Sequence, residues 1–75
     1  MDLDEAKIQD AVLALLYLNS SKDRRAWKSL DWDAMNGLYE RGLISNPVSK
    51  AKSVVLTQEG AVLAEHLAEK LFGKE

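Results

Sequence analysis

Apolar residues crowd the stretch Ala11-Val12-Leu13-Ala14-Leu15-Leu16-Tyr17-Leu18, and Gly and Pro are absent from Leu3 to Leu18. That pattern predicts a first helix, opened by Asp2 with Glu5 three residues on as a capping box and closed near Asn19. Apolar positions nearly all the way round it predict the central element of a small fold. Polar residues from Ser20 to Arg25 then break the pattern, and Ala26-Trp27-Lys28-Ser29-Leu30 alternates as a short extended segment does. Asp31 is a candidate N-cap for a second helix over 31–41, with Trp32, Met35, Leu38 and Tyr39 at helical spacing. Gly42 followed by Leu43 matches a glycine C-cap in which the apolar residue folds back on Leu38. Gly37, inside that helix, allows a close approach to the first.

Leu43-Ile44-Ser45 and Ser53-Val54-Val55-Leu56 are β-rich runs on either side of turn residues that include Asn46-Pro47, and they read as a β-hairpin. Thr57 caps a third helix reaching about Phe72, its apolar positions Leu63, Ala64, Leu67, Ala68 and Leu71 forming a stripe. The chain thus reads as one domain over residues 1–75, mostly α with a small β-hairpin. The order is helix, extended segment, helix, hairpin, helix.

A helix ending in Gly42-Leu43-Ile44, a hairpin, and then Val54-Val55-Leu56-Thr57-Gln58-Glu59-Gly60 opening a helix resembles the second half of winged-helix domains such as the MarR-like and PadR-like regulators. The resemblance implies a winged-helix-like fold with the hairpin as wing. Between the first two helices, eleven residues from Ser20 to Leu30 stand where a winged helix has a helix and a turn, so the domain is trimmed. Nearly the whole chain is also similar to a small bacterial family of uncharacterised proteins, a domain of unknown function. The residues that carry this are Ala14-Leu15-Leu16-Tyr17-Leu18, Arg25-Ala26-Trp27-Lys28, Asp31-Trp32-Asp33, Gly42-Leu43-Ile44-Ser45, Pro47-Val48 and Lys50-Ala51-Lys52-Ser53-Val54. The family favours Gly-Phe before Asp-Trp and Gly before Lys-Ala-Lys, where this chain has Ser29-Leu30 and Ser49. It supplies no catalytic residues.

Seventy-five residues with 47% hydrophobic and 29% charged side chains suit one small soluble core. The eight-residue apolar run is far short of the roughly 20 that cross a bilayer. The acidic N-terminus is unlike a signal peptide, so the expected location is cytoplasmic. The net charge of −2 is unlike the strongly basic signature of nucleic-acid binders, yet charge is unevenly distributed: residues 20–30 carry +3 and 45–57 carry +2, while the three helical segments are acidic. Lys50 and Lys52 on the wing, with Arg24, Arg25 and Lys28, are therefore candidates for contacting phosphates. Asp31, Asp33 and Glu40 against Arg41 on the recognition-position helix argue against major-groove reading.

Trp27 and Trp32 lie among Arg24, Arg25 and Lys28, an interleaving that stacks single-stranded bases if exposed; composition alone places two tryptophans in the core of a protein this small. Exposure separates the readings. A lone His66, no Cys, no nucleophile-elbow motif and no Gly-rich phosphate loop leave no basis for a catalytic, metal or cofactor site, so the expectation is a protein that is not an enzyme and uses no cofactor. Leu63, Leu67, Leu71 and Phe72 on the third helix are the candidate protein interface, toward a partner or a second copy in a homodimer.

Overall fold

The computed structural model describes residues 2–20, 22–27, 32–48 and 52–74. Its elements are α1 (Glu5–Leu18), β1 (Arg25–Trp27), α2 (Trp32–Glu40), β2 (Ser53–Val55) and α3 (Gln58–Phe72). This is a mostly helical fold with a small antiparallel β element, in winged-helix-like order.

Helix α1 starts two residues later than the capping-box pattern predicts. Asp4, not Asp2, is the N-cap, its carboxylate accepting the backbone N–H groups of Ala6 at 3.0 Å and Lys7 at 3.2 Å. The physical reason is that from this position one carboxylate satisfies two of the helix's orphan N–H groups, with Glu5 next to it beside the positive end of the dipole. At the other end the Asn19 side chain donates to the Leu15 carbonyl at 2.8 Å. Helix α1 packs on α3, α2 and β1, so it is the central element. It is not enclosed, however: Val12, Leu13, Ala14 and Leu16 are buried while Leu15 and Leu18 face water.

Helix α2 ends as its glycine predicts. Gly42 adopts φ +76°, the left-handed region, its N–H donates to the Tyr39 carbonyl at 2.9 Å, and the Leu43 N–H donates to the Leu38 carbonyl at 3.0 Å. Both bonds belong to a Schellman closure, and Leu38 and Leu43 are both buried. The expected cap Asp31 lies outside the described residues. A Cβ added at Gly37 would meet the Gln9 side-chain amide of α1, which is the close approach its position suggests.

The extended segment is β1, pairing antiparallel with β2 in the register Arg25 to Val55, Ala26 to Val54 and Trp27 to Ser53. The expected hairpin is present at its base, where Ile44 forms a bridge with Leu56. Beyond the bridge, Ser45 takes over with backbone and side chain: its N–H donates to the Val55 carbonyl at 2.8 Å, and its Oγ accepts the Val55 N–H at 2.9 Å. Strand β2 therefore lies between β1 and the Ile44-Ser45 segment. Asn46 Oδ1 accepts the Val48 N–H at 2.9 Å and turns the chain, and Pro47, read in the sequence as a turn residue, is fully buried.

Helix α3 is capped by Thr57, whose Oγ1 accepts the Gly60 N–H at 2.9 Å and donates to the Gly42 carbonyl at 2.8 Å. The Thr57 N–H also donates to the Leu43 carbonyl at 3.0 Å. The two halves of the winged-helix-like motif thus form one joint at the base of the wing. Ala64, Leu67 and Ala68 of α3 complete the core with Leu13, Leu16, Met35, Leu38, Ile44, Val54 and Leu56.

Candidate interaction surface

Strand β1 alternates exposed, buried, exposed, and this parity determines where its side chains go. Ala26, 2% exposed, takes the inward position beside Val54, so Arg25 and Trp27 take the outward ones. Trp27 is 68% exposed and Trp32, at the start of α2, is 51% exposed. The core placement expected from composition is thus corrected for both tryptophans, and for Trp27 the reason is that a strand three residues long has one inward position, which the small Ala26 fills against α1. Trp32 keeps interactions of its own.

Of the five candidate phosphate contacts, Arg24, Arg25 and Lys52 are described and exposed, whereas Lys28 and Lys50 lie outside the described residues. Arg24 immediately precedes β1 and Arg25 opens it, and Lys52 immediately precedes β2, whose Ser53 pairs with Trp27. The structure brings these charges to one small ladder around Trp27. It also adds a countercharge that the sequence reading missed: Arg25 Nε donates to Asp23 Oδ2 at 3.0 Å. Arg24 holds φ +64°, rare for a residue with a side chain, while its carbonyl accepts the Leu56 N–H at 2.8 Å. On α2, Asp33 and Glu40 are exposed, and Arg41, just beyond it, donates from Nη1 to Gln9 Oε1 at 3.0 Å.

The candidate interface on α3 divides in two. Leu67 is 9% exposed and belongs to the core, and Leu63 is half-buried against it. Only Leu71, 46% exposed, and Phe72, 49% exposed, remain at the surface, on the last turn of the helix. A stripe read from helical spacing alone marks the face that α1 covers, so its inner members are consumed by packing. His66 is exposed on α3 beside a shallow depression shared with Gly42, Thr57, Glu59 and Val62. Among the described residues no three His, Cys, Asp or Glu side chains come together as metal ligands would. No helix among them is long and apolar enough to cross a membrane.

Residues 4–74 match the family model described as Domain of unknown function (DUF6429). The chain is 54% identical over 72 residues to Uncharacterized protein y4hR of Sinorhizobium fredii, an alignment that covers 96% of this chain and 97% of the relative. No solved structure matches the chain.

Proposed function

The chain belongs to this bacterial family of unknown function, and on that premise we propose that it is a non-enzymatic module acting through protein contacts, with Trp27 and Trp32 at the centre of its contact surface. The observation that supports this reading is the outward placement of both tryptophans in a protein of 75 residues, where burial would otherwise have added much apolar area to a small core. Tryptophan and arginine are among the residues most enriched where binding energy concentrates in protein interfaces, and Arg24 and Arg25 precede Trp27 with only Ala26 between. The exposed Leu71 and Phe72 form a second, smaller apolar patch.

A photo-crosslinking amino acid at position 27 or 32, installed in the full chain inside bacterial cells, tests the reading. Discrete protein adducts from those positions, and none from the exposed position 65 on α3, are expected. Adducts shared equally by all three positions, or none at all, would overturn it.

A second reading has one specific observation in its favour: Trp27 stands on the exposed face of the ladder with Arg25 beside it and Lys52 at its edge, the basic-aromatic combination that stacks single-stranded bases. In that reading Lys50, Lys52, Arg24, Arg25 and Lys28 contact phosphates. Anisotropy of a labelled single strand and a matching duplex, at about 50 and about 200 mM salt, tests it, because phosphate binding weakens steeply over that interval. Lys50→Ala with Lys52→Ala should flatten the salt slope, and an unchanged slope removes the wing from this role.

A further inference from the structure

The β element has an open edge whose polarity follows from its hydrogen bonds. The Leu56 N–H donates to the Arg24 carbonyl, so Arg24 faces β2 with its backbone groups and, by the two-residue repeat of an antiparallel ladder, so does Ala26. On the opposite side of β2, Val55 exchanges hydrogen bonds with Ser45, which confirms the alternation. The backbone N–H and C=O groups of Arg25 and Trp27 therefore point away from β2. Among the described residues nothing is hydrogen-bonded to them on that side. Their side chains are exposed as well.

We propose that β1 is the docking edge for a second copy of this chain, which adds its own β1 antiparallel about a two-fold axis at Ala26. This rests on the reading of the protein as a contact module and names the partner. The centred register is self-complementary in two independent ways. It sets the outward backbone groups of Arg25 opposite those of Trp27 of the second copy, and the reverse, so four backbone hydrogen bonds close and every outward group in β1 is satisfied. It also sets each Arg25 side chain on the same face as, and directly across from, the indole of the second copy, at the roughly 5 Å Cβ spacing of cross-strand neighbours. That is the arrangement in which a guanidinium lies over an aromatic face.

An unrelated extended segment would find the same backbone groups but no reason to match Arg25 with an aromatic ring and Trp27 with a cation. The ion pair that now holds Arg25 to Asp23 is no obstacle, its side chains being 58% and 62% exposed and such pairs contributing little. The axis runs perpendicular to the sheet, so both copies keep Ala26 on the inner face and Trp27 on the outer. The contact is small, and its expected affinity lies in the range of about 10 μM to about 1 mM.

Sedimentation equilibrium of the full chain across that range tests the proposal. Mass should rise from 8.4 kDa toward twice that value. Trp27→Lys sets two cations opposite each other in the centred register and should weaken the dimer at least about tenfold. Adding Arg25→Glu to that variant then sets an introduced carboxylate across from an introduced ammonium, and dimerisation should return. Both substitutions are at exposed positions, and circular dichroism identical to the unaltered chain shows the fold to be intact. A monomer at every concentration overturns the proposal, and position-27 crosslinks to other proteins would then still support the contact reading. A dimer that ignores Trp27→Lys, or that the second substitution fails to restore, also overturns it.

Discussion

Two glycines inside helices, Gly37 and Gly60, read alike in the sequence but have different surroundings. A methyl group at Gly37 would meet the far end of the Gln9 side chain, which turns aside at the expense of its hydrogen bond with Arg41. At Gly60 it would meet the backbone carbonyl of Leu43, already engaged by the Thr57 N–H. Backbone held on both sides does not yield. Alanine improves helix propensity by about 1 kcal/mol at either position, so Gly37→Ala should leave stability nearly unchanged. Gly60→Ala should lose about 1–3 kcal/mol through overpacking. Urea midpoints of the two variants check this, and a stabilised Gly60→Ala would refute the close contact. Thr57 acts at the same place with both its proton and its lone pair. Replacing it with valine removes the cap and leaves the Gly42 carbonyl without its donor, an expected loss of about 1–2 kcal/mol, whereas serine retains both bonds. Equal thermal midpoints for the valine and serine variants would contradict that assignment.

The elements themselves were largely legible, because caps and periodicity are local signals. Thr57, the Gly42 closure and the extent of α3 follow from residues within one or two turns of each other. Asp4 was missed because Asp2 and Asp4 both offer a carboxylate. The difference lies in which of them reaches two free backbone N–H groups, and Asp4 reaches those of Ala6 and Lys7. What local pattern does not specify is the partner of a strand. Ser53, Val54 and Val55 read as the second arm of a hairpin, yet their longest pairing is with β1, across the whole of α2. The placement of Trp27 is illegible for the same reason. Whether Trp27 points in or out depends on the parity of a three-residue ladder, decided by Ala26 and its packing, and composition carries no information about parity. Likewise Leu67 reads as an interface until α1 is known to cover it.

At the scale of the molecule, the principal extents are 38, 34 and 19 Å, a flat body about two helix diameters thick. A body of that shape has little interior for its surface, which is why Leu3, Leu18, Trp27, Val48, Val62 and Phe72 all remain exposed while the core is well closed around Leu13 and Leu38. Apolar area left outside in this way costs little in the isolated chain and becomes available to association. The proposed contact should therefore separate from stability. Trp27→Ala is expected to change the unfolding free energy by no more than surface substitutions do, about 0.5 kcal/mol, while its effect appears in crosslinking and sedimentation. A large loss of stability would show instead that the indole packs on its own fold.

The joint at the base of the wing has a topological consequence as well. By fastening Gly42 and Leu43 to Thr57, it holds together the two ends of a loop that leaves α2 and returns at α3. The entropy of closing such a loop grows only with the logarithm of its length, about 0.6 kcal/mol for each doubling. The clamp therefore insulates the core from the length of whatever the wing carries at its tip, and the domain has a built-in position where chain can be lengthened or exchanged without the three helices having to repack.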